Sequence, residues 1–249
     1  MSTSGLSTFN LDLTELVEEA FERCGKELRS GYDLKTARRS INLLTIEWAN
    51  RGINLWTIEQ GSIPMVTGQS TYNLPIDTID LLDQVIRTGT GQNQIDINIT
   101  RISESTYSTI PTKNAQGRPI QVWMNRQSGA QYPAGGQPAG TDPVTGIDYP
   151  KIVVWPTPNP PGDQYTFVYW RMRRIQDIGN GSNTPDIPFR FIPCLVAGLA
   201  YYLAAKLPGM DMQRAVALKA DYEEQFRLAA DEDREKAAIR FVPRSMFYY

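Results

Sequence analysis

Phe191-Ile192-Pro193-Cys194-Leu195-Val196-Ala197-Gly198-Leu199-Ala200-Tyr201-Tyr202-Leu203-Ala204-Ala205 is the most apolar stretch of the chain, closed by Arg190 before it and Lys206 after it. A transmembrane helix needs about 20 such residues, so this run is too short to span and predicts a buried core helix. Ile192, Leu195, Val196, Leu199 and Leu203 fall on one side. The other side carries Ala197, Gly198, Ala204 and Ala205, small enough to let a neighbouring helix approach closely. The helix is expected to begin near Asp186-Ile187-Pro188, where proline suits a first turn, and to stop at Pro208-Gly209.

A core helix needs partners, and the sequence offers them at its two ends. Leu13, Leu16, Val17, Ala20, Phe21, Cys24 and Leu28 recur every three or four residues, which marks one apolar helix face. Asp12 is placed to cap it, with Glu15 in capping-box spacing. Gly31 breaks the run, Asp33 is positioned to cap again, and Leu34, Ala37, Ile41, Leu44 and Trp48 form a second stripe ending at Arg51-Gly52. After the apolar run, a further helix from Asp211 carries Ala215, Leu218, Tyr222, Phe226 and Ala229. Its end, Asp231-Glu232-Asp233-Arg234-Glu235-Lys236, reads as a solvated charged face.

Between the helix pairs the apolar period falls toward two, with β-branched and aromatic residues in short runs. Expected strands are Leu55–Glu59, Ser62–Val66, Ser70–Asn73, Ile79–Thr88, Ile95–Thr100, Ile120–Met124, Ile152–Trp155 and Tyr165–Met172. The predicted fold class is therefore α+β. N- and C-terminal helix pairs (1–54 and 186–240) form a helical bundle, an antiparallel β-sandwich or barrel-like domain (55–185) is inserted, and an extended tail (241–249) follows. Ser128–Tyr149, rich in Gly and Pro, exceeds the usual loop length and is expected either to make contacts within an assembly or to be disordered.

Charge and residue types narrow the chemistry. The 249 residues hold 25 basic and 27 acidic side chains, interspersed along the whole chain. Binding DNA by neutralising phosphates requires clustered Lys and Arg, so tight, sequence-independent DNA binding is not expected, which leaves DNA free to pass nearby without sticking. Histidine is absent, which removes the commonest general base and metal ligand. Cys24 and Cys194 fall on apolar helix faces and read as reduced core residues, although one disulfide is formally open. The first residues lack the basic start and apolar run of a signal peptide, which predicts a protein that stays in the cytoplasm where it is made, with no membrane association.

Three clusters invite a catalytic or binding reading beside a structural one. Asp77, Asp80 and Asp83 lack the glycine and oxygen-ligand spacing of a calcium loop, and starting a strand is their simpler role. Trp56, Trp123, Trp155 and Trp170 either line a sugar groove or fill a β core. Arg171, Arg173 and Arg174 mix with aromatics as in single-strand binders, or else Arg171 and Arg173 share one strand face opposite Trp170 and Met172. Neither a phosphate-cradling loop nor a nucleophile elbow occurs. No enzyme activity, cofactor or metal is expected.

The tail stands apart. Phe241, Val242, Met246, Phe247, Tyr248 and Tyr249 surround Pro243 and Arg244, and proline excludes a continuing helix. Burying each large aromatic is worth about 1.5–3 kcal/mol, enough for several together to anchor a peptide. Phe241, Arg244, Met246, Phe247, Tyr248 and Tyr249 are the candidate partner-binding residues, either on another chain or folded back on their own core.

These features resemble a family. The helix Ala37–Gly52 followed at once by a strand near Trp56, Gly117-Arg118-Pro119 before an aromatic strand, Ile152–Pro158, the alternating Tyr165–Trp170, the closing helix Phe191–Leu207 and the acidic fourth helix are similar to the head-to-tail adaptors of short-tailed bacteriophages, often called tail tubular protein A. The resemblance implies a virion protein at the head–tail junction, made and assembled in the host cytoplasm. It implies a homo-oligomeric ring of twelve subunits around the DNA exit channel, contacting the portal protein on one side and a distal, nozzle-type tail protein on the other. The alternative from another class is a phage tail component that binds or degrades host surface carbohydrate, which would need strand tryptophans with open faces.

Overall fold

The computed structural model describes residues 5, 9–29, 31–53, 55–89, 91–126, 149–159, 165–179 and 183–234. The fold is α+β. Described helices are α1 (Leu13–Arg23), α2 (Gly31–Asn50), the short α3 (Glu104–Ser108), α4 (Ile192–Ala204) and α5 (Met212–Glu232). Described strands are β1 (Ile58–Pro64), β2 (Thr71–Asn73), β3 (Thr78–Thr88), β4 (Ile95–Asn98), β5 (Thr100–Ile102), β6 (Gln116–Gly117), β7 (Gln121–Asn125), β8 (Lys151–Trp155), β9 (Thr157–Pro158) and β10 (Tyr165–Arg173). Two compact units result: a helical one drawn from the chain up to Trp56 and again from Ile175, and a β-rich one spanning Thr57–Arg174.

In the helical unit, α4 packs against α1, α2 and α5. Its apolar character on all sides follows from that position, because ten of its residues are buried. Gly198 is where two neighbours close in: a Cβ there would lie 2.7 Å from Leu44 Cδ2 on α2 and 2.9 Å from Tyr222 Cε2 on α5. The small face read from the sequence is thus a contact surface. Trp48, Phe191, Leu195 and Tyr222 belong to the same core.

Local signals set most helix ends. Asp12 accepts from the Glu15 backbone and Glu15 reaches back to the Asp12 N–H, the expected capping box. Helix α1 ends earlier than its apolar period suggests, at Arg23. There Gly25 takes φ +70°, its N–H reaches Glu22 O at 2.8 Å, and Lys26 N–H reaches Phe21 O at 3.0 Å. This is a Schellman stop, and Leu28 packs on the core from outside the helix. Gly52, at φ +84°, ends α2 the same way. Gly31 opens α2 rather than breaking a run, so Asp33 lies in the first turn and not at the cap. Helix α4 starts after a 3₁₀ turn, Phe189–Phe191, later than Pro188 suggests. Asp211, where a helix was expected to begin, caps α5.

In the β unit the strands form two four-stranded sheets, β1-β10-β3-β4 and β2-β8-β7-β5, with a small β6-β9 pair. Among the described residues there is no closed barrel. Pairing is mostly antiparallel, but β5 with β7 and β6 with β9 run parallel, which corrects the all-antiparallel expectation. One apolar cluster draws Leu81, Ile86 and Phe167 from the first sheet and Tyr72, Val122, Ile152 and Val154 from the second. The two segments expected as Leu55–Glu59 and Ser62–Val66 are a 3₁₀ turn at Leu55–Thr57 and the single strand β1. Trp56 belongs to the helical core, its ring 4.8 Å from Phe191 and its Nε1 donating to Asp186 O at 3.1 Å.

Candidate functional site

The arginines of β10 are placed first, because sequence left their role open. Tyr165, Phe167, Tyr169, Arg171 and Arg173 alternate on one buried strand face, opposite Trp170 and Met172. Arg171 and Arg173 are each only 8% exposed. Arg171 Nη1 donates to Asp77 Oδ1 at 2.6 Å and Thr78 Oγ1 at 3.0 Å, and Nη2 reaches Glu59 Oε2 at 2.9 Å. Arg173 Nε donates to Glu59 Oε1 at 2.6 Å. Both cations are paired with partly exposed carboxylates, so their charge is already countered. Burial works against the Arg171 charge, but Asp77 and Glu59 hold its pKa above the ordinary value.

Two of the three aspartates, Asp77 and Asp80, are engaged in the same manner, and Asp83 is exposed. Asp77 pairs with Arg171, and Asp80 pairs with Arg101 at 2.7 Å and Arg126 at 3.6 Å. Among the described residues no group of three His, Cys, Asp or Glu is arranged to hold a metal.

Aromatic contacts cover two of the four tryptophan rings, Trp56 by Phe191 and Trp123 by Tyr107. Trp123 stacks on Tyr107 of α3 at 5.1 Å, and Trp155 Nε1 donates to Thr112 O at 3.0 Å. Trp56, Trp123, Trp155 and Trp170 are all half-buried. Cys24 and Cys194 are buried free thiols. Burial raises both, Cys194 to about 12.

A polar network crosses the helical unit where α2, α4 and α5 meet. Arg51 lies 2.6 Å from Glu47 and 3.0 Å from Glu223, with its guanidinium 4.3 Å from the Phe226 ring centroid. Tyr202 Oη donates to Glu47 Oε2 at 2.6 Å and Tyr222 Oη to Glu47 Oε1 at 3.2 Å. Trp48 Nε1 in turn donates to Tyr222 Oη at 3.1 Å. Burial, followed by the Glu47 bond, pushes the Tyr202 phenol up to about 12. The Arg51 hydrogen bond lowers the Glu223 carboxyl. The cleft beside this network, about 430 Å³, is also lined by Lys206 and Lys219. Its carboxylates and guanidinium are spent on one another, so the network acts as a tie between three helices.

The charge run closing α5 departs from the solvated face expected of it at one residue. The Asp233 side chain is 4% exposed and sits 3.6 Å from Arg190, while its other oxygen accepts from the Leu55 N–H at 3.3 Å.

Among the described residues the exposed large apolar side chains include Phe9, Val66, Ile95 and Phe189, and two helices, α2 and α5, each carry a set of them on an outer face. Leu43 and Ile46 of α2 and Met212, Val216 and Leu228 of α5 are large apolar side chains left in solvent. Only Leu218, Tyr222 and Ala229 of α5 are buried. Sequence reading passed over these residues because they lie off the core stripes. Their signal was available as apolar side chains at positions where an amphipathic helix normally places polar ones. The predicted partner-binding residues Phe241, Arg244, Met246, Phe247, Tyr248 and Tyr249 lie outside the described residues, as do positions 128–148 of the Gly/Pro loop.

Helices that present apolar side chains outward, joined to a β-rich unit, have the build of an assembly subunit. A model of the SU10 adaptor protein family matches residues 11–243, and the chain belongs to that family. The match agrees with the phage head-to-tail adaptor that the sequence resembles, and with a structural place in the virion. No individual curated protein matches the chain. Among the described residues no helix is long and apolar enough to cross a membrane.

Proposed function

We propose that this protein is a non-enzymatic head-to-tail adaptor that needs no cofactor. In this reading it forms a ring, of twelve copies by the resemblance, between the portal and a nozzle-type distal tail protein. The ring lines the channel through which DNA leaves without being gripped. The observation that carries the reading is the family match over residues 11–243. Support comes from the balanced charge and from the pairing of Arg171 and Arg173 with carboxylates, which already counters their charge.

In the same proposal Phe241, Arg244, Met246, Phe247, Tyr248 and Tyr249 dock on the portal or on a neighbouring adaptor, and the 128–149 loop faces neighbours or the distal tail protein. The test is deletion of residues 241–249 in the phage. The expected product is a soluble, folded subunit with unchanged far-UV circular dichroism, together with non-infectious particles lacking tails. Normal tailed particles from the deletion would remove the tail's role. Absence of the chain from wild-type virions would remove the adaptor reading altogether.

A further inference from the structure

On α2 the residues facing directly away from the core are Lys35, Arg39, Leu43 and Ile46, with Leu43 48% and Ile46 43% exposed. Residues four apart line up as ridges on a helix surface. The ridges Lys35-Arg39-Leu43 and Arg38-Asn42-Ile46 are therefore neighbours, and these six residues do line one groove. On α5 the positions Met212, Val216, Ala220, Glu224 and Leu228 form a single ridge of the same kind. Met212 is 76% and Val216 62% exposed.

A scattered exposed apolar residue is ordinary, but these two sets are ordered and complementary. The groove offers an apolar end, Leu43 and Ile46, and a basic end, Lys35, Arg38 and Arg39. The ridge offers apolar side chains with one carboxylate, Glu224. Arg227, on the same side of α5, lies 3.9 Å from Asp231, which also pairs with Arg234 at 2.7 Å.

We propose that the Met212–Leu228 ridge of α5 in one copy lies in the α2 groove of a second copy. Glu224 then meets Lys35 and Arg39, and Val216 or Leu228 meets Leu43 and Ile46. The two surfaces differ, so the contact is heterologous, and repetition generates a closed ring when the rotation permits. The proposal rests on the ring reading above and supplies its subunit interface.

The test places the photo-cross-linker benzoylphenylalanine at Leu43, and separately at Val216, in phage particles. Both sites are exposed, so folding is checked by circular dichroism of the free subunit. The expected result is a band at twice the subunit mass, with adducts from position 43 to residues 212–228 and the reciprocal adduct from position 216. Adducts only to another polypeptide, only to residues 241–249, or none at all, with this chain present in the particles, overturn the interface and leave the adaptor reading standing. Particles that lack the chain overturn both. A charge exchange gives an independent reading. Arg39→Glu and Glu224→Lys are each expected to lower the yield of tailed particles about tenfold or more, and the double variant to restore most of it. A double variant no better than either single change counts against the pairing.

Discussion

Replacing Gly198 with alanine adds one methyl group at the point where three helices converge. The new Cβ would sit 2.7 Å from Leu44 Cδ2, 3.1 Å from Leu44 Cδ1 and 2.9 Å from Tyr222 Cε2. Leu44 and Tyr222 are 0% and 1% exposed, so both are held within the core. The Tyr222 ring is further held by the Trp48 and Glu47 hydrogen bonds to its hydroxyl. Two opposing effects then compete. Alanine gains about 1 kcal/mol over glycine in a helix interior, and overpacking costs about 1–3 kcal/mol. Because the added methyl presses on two helices at once, the upper part of that range applies, and a net loss of about 1–2 kcal/mol is expected. For a protein of this size that corresponds to a Tm lower by about 2–8 °C. Urea unfolding followed by far-UV circular dichroism reports mainly on the helical unit and is the suitable assay. Leu44→Ala alone should cost about 2–5 kcal/mol. In the Gly198→Ala background it should cost at least about 1 kcal/mol less, since it removes two of the three close contacts. Gly198→Ala at or above wild-type stability, with Leu44→Ala strictly additive, would refute the account of α4 as a helix tightly enclosed by α2 and α5.

Three further outcomes follow from the sites described. Arg171→Met should destabilise the β unit by about 2–4 kcal/mol, because Asp77 and Glu59 lose their shared partner; with those carboxylates partly solvated the cost stays below that of a fully buried pair, and retention on heparin should not change. Glu223, whose carboxyl is lowered by Arg51, contributes stability that is present above its ordinary value near 4.5 and is lost as pH falls through the lower folded value. Glu223→Gln should therefore flatten the acid limb of a stability–pH curve, and a limb of unchanged slope would remove this assignment. Thiol titration with a maleimide should find neither Cys24 nor Cys194 reactive in the native protein and both reactive in denaturant, since both are buried with raised pKa values; rapid native labelling would show that the core opens.

The helical unit was legible wherever a local rule decided the outcome. Asp12 with Glu15, Asp211, and the small side of the 191–205 run each state their role within a few residues. The misreadings arose where a backbone event cut across a side-chain pattern. Leu28 keeps the period of α1 although Gly25 has already stopped the helix, and Trp56 looks like the start of a strand although it closes over Phe191. In the β unit, strand existence was readable but partnership was not. Nothing local in Thr100–Ile102 or in Gln116-Gly117 says that they pair in parallel with distant segments. Alternation along β10 placed Arg171 and Arg173 together on one face, yet the decision between a phosphate-binding surface and an internal ion cluster lay in Asp77 and Glu59, more than ninety positions earlier in the chain.

The same logic explains why the outer faces of α2 and α5 escaped notice while the tail did not. A stripe search keeps the residues that fit one face and discards the rest as solvent-facing. In a subunit made for assembly, the discarded set is under a second constraint imposed by a neighbour. Leu43 and Ile46 lie opposite the α2 core stripe, and Met212, Val216 and Ala220 hold an i, i+4 spacing of their own on α5. In the proposed interface, two stripes on one helix correspond to two burial events, one completed when the chain folds and one left for association. Polar substitutions along the second stripe, such as Leu43→Gln or Val216→Gln, should therefore leave monomer stability within about 0.5 kcal/mol of wild type while reducing incorporation into particles. Equal losses in both measurements would place these side chains in the fold of the single subunit and leave no role for the second stripe.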